Sequence, residues 1–199
     1  MRTAGSNGEM TERALREAGI RLISKHGFEA VSLRSLASEV GIQAGSLYNY
    51  ISNKQTFLFQ LLTDIMNDLL AEMNSRLSGL QDPRDRLREF IALHLEFHTR
   101  RKDEVFIGNM ELRSLTARHR AKVVGLRAEY EKVLCQIIRD GKAKGIFKVS
   151  DETIASYATI AMLTGVCNWY RPNGRLSIDD LVKFHSEMVF GSLGADFKP

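Results

Sequence analysis

Residues 41–54 read GIQAGSLYNYISNK, directly after LRSLASEV at 33–40. The spacing predicts two short helices, Leu33 to Val40 and about Ala44 to Ile51, joined by a glycine bend, which is the pattern of a helix-turn-helix. Ala37 stands one turn before the bend, where a larger side chain would push the two helices apart. Gly41 stands where the backbone needs a positive φ. Leu36, Val40, Ile42 and Leu47 supply apolar groups for a small core shared with a preceding helix. Leu47, Tyr50 and Ile51 recur at i, i+3 and i+4 and set the inner face.

The opposite face then carries Gln43, Ala44, Gly45, Ser46, Tyr48 and Asn49, all small or polar and none a carboxylate. Such a surface can approach phosphates and base edges. Gln and Asn can pair with adenine, Ser with phosphate or base, and Tyr with phosphate, sugar or a thymine methyl. Tyr48 faces DNA on this reading, whereas Tyr50 is mainly structural. Lys54, beside the free N–H groups that open the next helix, suits a backbone phosphate. Ser32, the expected N-cap of the first short helix, and Arg34 complete the candidate DNA contacts, with Gln43, Ala44, Ser46, Tyr48, Asn49, Tyr50 and Lys54. An ordinary αα-hairpin with a polar outer face is the alternative.

The stretch GFEAVSLRSLASEVGIQAGSLYNYISNKQTFL, within residues 14 to 58, resembles the TetR (tetracycline-repressor) family of bacterial transcriptional regulators. Gly27, Phe28, Ser32, Ala37, Gly41, Gly45, Leu47, Tyr48 and Lys54 match its pattern residue by residue. Tyr50 and Ile51 stand where the family usually has His and Phe, and Asn49 where it often has an aromatic residue or His. The resemblance implies a helix-turn-helix DNA-binding domain at 1–53 and an effector-binding and dimerisation domain at 54–199. It further implies a repressor that binds a palindromic operator in double-stranded DNA as a homodimer and is released by a small, largely apolar effector. The segment CNWYRPNGRLSIDDLVKFHSEMVFGSL resembles a branch whose members often respond to acyl-CoA thioesters or related lipid-derived ligands.

Outward from the motif, the chain reads as all-α, with about nine helices. Only three of its 199 residues are proline, and helical periodicity dominates. A first helix is expected from about Glu9 to His26, with Ala14, Ala18, Leu22 and Ile23 inward and Gly27 after its end. Ser52 and Gln55 form an S-x-x-Q capping box for a long helix to about Leu77, with Phe57, Leu61, Ile65, Leu69 and Met73 along one side. Asp82-Pro83 opens the next, to about Arg100. A short helix follows Asp103, and a long one runs from about Ala117 to Lys144. One helix is expected from about Asp151 to Tyr170, and Ser177 with Asp180 opens a last one.

Composition narrows the function classes. The net charge of +4 is a mild basic bias compatible with a polyanionic partner. It does not single out a basic domain: residues 1–55 hold seven Lys/Arg against five Asp/Glu, and the remainder twenty-one against nineteen. Cys135 and Cys167 read as free thiols. No apolar run is long enough to span a bilayer, and MRTAGSNGEM has no signal-peptide core, so a cytoplasmic protein with no membrane partner is expected. No Gly-rich phosphate loop, nucleophile elbow or CxxC set occurs, so no enzyme activity, catalytic residue or cofactor is expected.

Met66, Met73, Phe90, Leu93, His94, Phe97, Phe106, Met110 and Tyr130 are candidates to line an apolar effector cavity, or are plain core. Arg113, Arg118, Arg120 and Arg127 bunch near the start of the helix at 117. They form either a solvated face or a mouth for the phosphates of a CoA-like ligand. The effector-site candidates are thus Met66, Met73, Phe90, His94, Phe97, Phe106, Met110, Arg113, Arg120 and Tyr130. His94 and His98 have metal-chelating i, i+4 spacing but no third ligand, so a metal site is not expected. Apolar stripes on the last two helices, including Ile154, Tyr157, Ala158 and Ala161 and then Phe184 and Met188, are candidates for a four-helix homodimer interface. The rival reading is an all-α small-molecule binding protein or enzyme without DNA binding.

Overall fold

The structure is a computed structural model that describes residues 4–197, with side chains from residue 8. Residues 1–3, 198 and 199 lie outside the described residues; they end the two expected domains and include part of the stretch searched for a signal peptide. The described residues form α1 (Ala4–His26), α2 (Leu33–Val40), α3 (Ala44–Leu47), α4 (Lys54–Leu77), α5 (Pro83–Arg100) and α6 (Lys102–Met110). A 3-10 turn (Glu111–Ser114) precedes α7 (Ala117–Ala143), α8 (Glu152–Thr164), α9 (Val166–Trp169) and α10 (Ile178–Ser192). No strand occurs among them, so the fold is all-α as read from the periodicity.

The chain divides into two compact units. The first comprises the chain through Met66 together with Asp103–Val124. In it α1 packs on α2, and α2 on α3. Leu15, Ala18, Ile23, Phe28, Leu36, Ala37, Leu47 and Ile51 are buried together with Phe57, Leu58 and Leu61 of α4. The inner stripe of α1 is rotated from the expected one, since Ala14 and Leu22 are only half-buried. Ser32 caps α2 by accepting the Ser35 N–H, and the Ser35 hydroxyl in turn accepts the Ser32 N–H. Gly41 closes α2 at φ +74°. Its N–H reaches the Ser38 carbonyl and that of Ile42 reaches Ala37, both carbonyls of the last turn, which is a full Schellman motif.

The second unit comprises Asn67–Lys102 and the residues from Gly125 onward. Here α5 is the central element, packing against α8, α9 and α10. Its Leu87, Phe90, Ile91, Leu93, Leu95 and Phe97 are all but inaccessible. Asp82 caps α5 through the Arg84 N–H, with Pro83 in the first turn. Asp151 caps α8, and Ser177 with Asp180 forms the capping box of α10. Hydrogen bonds from the Ser177 N–H and hydroxyl hold the Asp180 carboxyl below its ordinary range.

Three local expectations change. The α-helix expected at 44–51 stops at Leu47; the N–H groups of Asn49 and Tyr50 bond carbonyls three residues back, so the last turn is tighter. The long helix is capped by Asn53, which accepts the Thr56 N–H at 2.8 Å, and not by a Ser52/Gln55 box. Gln55 instead donates to the Ser114 carbonyl. The single helix expected at 151–170 divides at Gly165 into α8 and α9. Gly165 keeps right-handed helical angles, so the break is a change of hydrogen-bond pattern within a nearly continuous rod.

Candidate nucleic-acid interface and effector site

The bend brings the expected outer face together. Gln43, Ala44, Gly45, Ser46, Tyr48 and Asn49 are all exposed, and Tyr48 keeps 62% of its surface open although Leu47 beside it is fully buried. No carboxylate interrupts residues 40–54, so an approaching phosphate meets no like charge from this stretch. Ser32 and Arg34 are exposed at the start of α2. Tyr50 is half-buried and turns into a groove of about 420 Å³, whose floor includes Leu15, Ile51, Phe57 and Leu61. That placement separates the two tyrosines into an outward one and an inward one.

Lys54 has a second occupation that spacing does not reveal. Its ammonium donates to the Glu29 carbonyl at 3.0 Å and sits 4.3 Å above the Phe28 ring. The charge is thereby held at the turn between α1 and α2, with further N–H donors left for a phosphate. Ser35, which completes the Ser32 cap, and Asn53, which opens α4, were legible as S-x-x-S and as a capping residue type. Glu111 had no local signal at all. Its buried carboxylate accepts the Phe28 N–H at 3.0 Å and the Ser114 hydroxyl at 2.7 Å.

The effector candidates fall into two groups. Met73, Phe90, His94, Phe97 and Tyr130 are buried in the second unit. Among them Phe90 and Tyr130 rings lie 4.9 Å apart, and the Tyr130 hydroxyl is 3.1 Å from His94 Nδ1. Thr164 is 3.1 Å from His94 Nε2, and Cys167 donates to the His98 carbonyl. A polar thread therefore runs through the apolar interior of this unit, linking α5, α7, α8 and α9. Thr164 and Cys167 were not among the sequence candidates, because a single Thr or Cys in an apolar stripe carries no periodic signal.

Burial controls the charge of this thread. His94 is pushed well below the ordinary histidine value by desolvation, then by His98 and His185. His98 falls to about 4, again chiefly by desolvation, with half-buried Arg127 adding repulsion against the backbone hydrogen bond that favours its charged form. Burial likewise raises Tyr130. The imidazoles are thus neutral, and both His94 nitrogens face hydroxyls. Among the described residues no group of three or more His, Cys, Asp or Glu could hold a metal ion.

Met66, Phe106, Met110, Arg113 and Arg120 belong to the first unit. Met66 is half-buried, whereas Phe106 and Met110 each keep 46% of their surface open, one turn apart on α6. Arg113, Arg118 and Arg120 are exposed. On the last helices Ile154, Tyr157, Phe184 and Met188 are exposed apolar side chains, while Leu181 and Val189 point inward. No helix among the described residues is long and apolar enough to cross a membrane.

Comparison with known proteins agrees with this arrangement. The chain is 24% identical over 195 residues to the HTH-type transcriptional repressor KstR2 of Rhodococcus jostii (strain RHA1), covering 97% of this chain and 95% of that one. A bacterial regulatory protein in the TetR family from Rhodococcus RHA1 superposes with a TM-score of 0.88 at 21% identity, over 94% of this chain and 98% of that chain, and shares the fold. AibR, solved in complex with isovaleryl coenzyme A and operator DNA, superposes with a TM-score of 0.84 at 26% identity, over 90% of this chain and 98% of its own. The profile of the bacterial regulatory proteins of the TetR family matches residues 15–61, and that of the tetracyclin repressor-like C-terminal domain matches residues 80–193. With the glycine-bent helical pair inside the first match and most of the second unit inside the other, the chain belongs to the TetR family of bacterial regulators.

Proposed function

We propose that the protein is a homodimeric transcriptional repressor that binds a palindromic operator and lets go of it when a largely apolar effector, of the acyl-CoA class, is bound. One observation carries the DNA-binding part: an exposed, carboxylate-free face from Gln43 to Asn49 on a segment whose other face is locked by Leu47. Residues 1–53 act as the DNA reader and 54–199 as the effector and dimer domain. Two copies present their Gln43–Asn49 segments to half-sites about 34–36 Å apart, one helical turn of DNA, or a multiple of it.

The exposed apolar side chains of α8 and α10 support pairing of two chains through these helices. A face of that kind is costly to leave in water and is self-complementary under two-fold symmetry. The effector reading rests on the second unit, where the Phe90 ring lies against His94 and Tyr130 and the Phe97 ring against His98, with Met73 buried in the same unit. The acyl-CoA class is suggested by AibR, solved with isovaleryl coenzyme A. An effector of this kind weakens DNA binding only through its different affinities for two dimer conformations.

The test is selection from a random duplex library by the purified protein, followed by titration of the selected duplex at several salt concentrations. A sequence-selective, salt-dependent complex with two-fold symmetric sites is expected. Equal affinity for selected and random duplexes removes the operator reading.

A further inference from the structure

We infer that Glu111 is a positioning residue for operator recognition: its carboxylate, carried on the segment 103–124, completes the turn between α1 and α2 and thereby sets the bearing of the recognition segment. The inference rests on the DNA-binding reading above and adds to it a residue outside the helix-turn-helix.

The two glycine-terminated helices of the first unit end differently. At the end of α2 the backbone closes on itself, with both Gly41 and Ile42 bonded to carbonyls of the last turn. At the end of α1 only half of that closure exists. Gly27, at φ +79°, bonds the Ile23 carbonyl at 2.9 Å, which is the simpler left-handed cap. The next N–H, that of Phe28, has no partner in its own helix. Phe28 is only 2% exposed, so water does not readily satisfy it. Its acceptor is Glu111 Oε1, from 83 residues away.

A local cap would make the α1–α2 turn independent of the rest of the chain. A distant carboxylate makes it conditional on where residue 111 stands. Glu111 is itself held: its second oxygen accepts the Ser114 hydroxyl, and the Ser114 carbonyl accepts Gln55 from the first turn of α4. Arg16 of α1 also pairs with Glu104 of α6 at 2.9 Å, a part-buried second tie to the same segment. Lys54 grips the turn from α4 through Glu29 and Phe28. The segment 103–124 is continuous with the second unit at residues 102 and 125. A displacement of α6 or of the start of α7 therefore reaches the turn through Glu111 without passing along α4.

The experiment uses the intact protein in three forms, wild type, Glu111→Gln and Glu111→Ala. Exchange of the Phe28 amide hydrogen is followed by NMR without DNA, and affinity is measured for the duplex selected by the wild type and for a random duplex. In Glu111→Gln the charge-assisted bond becomes a neutral one. Phe28 exchange is expected to quicken about tenfold and selected-duplex affinity to fall severalfold, with random-duplex affinity and helix content unchanged. Glu111→Ala, if folded, is expected to do more of both. Glu111→Gln decides the matter if the alanine variant does not fold. Wild-type Phe28 exchange in Glu111→Gln, or equal losses on selected and random duplexes, overturns the inference. Failure of the wild type to prefer any duplex sinks the DNA reading instead, and Phe28 exchange still judges the Glu111 cap.

Discussion

His94 and His98 lie one turn apart on α5 with their rings stacked at 3.7 Å and 8° from parallel. His98 Nδ1 donates to the His94 carbonyl at 2.8 Å, which fixes the His98 tautomer, and His94 is spanned by Tyr130 and Thr164. Two imidazoles this close and this buried favour the neutral state, because a proton on either would lack solvent and would face its neighbour.

This arrangement predicts acid lability. Both folded-state values lie below the ordinary 6.5, with His98 at about 4. Above pH 6.5 folded and unfolded chains are both neutral here and stability is full. As pH falls from 6.5 towards 4, the unfolded chain binds protons that the folded chain refuses. His98 alone then costs about 1.4 kcal/mol per pH unit, roughly 3 kcal/mol by pH 4, and His94 adds to the slope. Urea titrations at fixed protein concentration between pH 7 and pH 4.5 check this, and His98→Gln should remove close to one proton from the slope. A midpoint flat over that range contradicts the neutral pair.

At the DNA face, Gln43→Ala should relax base preference at one operator position, and Tyr48→Phe should weaken binding if its exposed hydroxyl meets phosphate. Lys54→Ala should lower the salt dependence by about one unit of slope on every duplex. It should also cost thermal stability, on the order of 0.5–1 kcal/mol, because the ammonium sits over Phe28. Anisotropy titrations on selected and random duplexes, with melting curves beside them, separate the two effects. Equal loss on both duplexes for Gln43→Ala would show that it reads no base.

Pairing of chains is tested best at Ala161, which is exposed on α8 in line with Ile154, Tyr157 and Ala158. Ala161→Arg should split a dimer formed there and leave a folded monomer that has lost tight operator binding, since two linked half-site contacts no longer reinforce each other. Gly165 is a poorer choice, because an added Cβ would lie 3.3 Å from the Met162 carbonyl oxygen. Light scattering that still reports a dimer for Ala161→Arg moves the interface elsewhere.

For the effector, short-chain acyl-CoA thioesters should release the protein from the selected duplex, and the matching free acids should act weakly. If Arg113 and Arg120 meet the CoA phosphates, Arg113→Ala or Arg120→Ala should raise the thioester concentration needed for release, with DNA affinity unchanged in its absence. Both guanidinium groups are exposed, so a solvated face predicts no change. Equal action of acid and thioester, or none by either, removes the CoA class and leaves an apolar effector only.

The sequence by itself determined the local architecture and the family. Gly41, Ala37 and Leu47 specify the bent helical pair because backbone angle and periodicity act over a few residues, whereas the spacing on to Tyr50 and Ile51 over-extends its second helix, which stops at Leu47. The same locality made Asp82 and the Ser177–Asp180 pair legible as helix starts, each beside the N–H groups it satisfies, whereas Asp151, expected as the first residue of its helix, stands one place before it as the cap. It failed where two local solutions compete. Ser52 and Asn53 are both good caps, and the choice of Asn53 accompanies the packing of Gln55 against Ser114. Only the tertiary structure decided what joins distant residues: Glu111 to Phe28, Lys54 to Glu29, and His94 to both Tyr130 and Thr164. These bonds cross 25 to 83 residues of chain. Apart from the exposed Lys54–Glu29 bond, their energy comes from satisfying buried or part-buried polar groups, and which groups become buried together is settled by packing of whole helices rather than by any pattern along one of them.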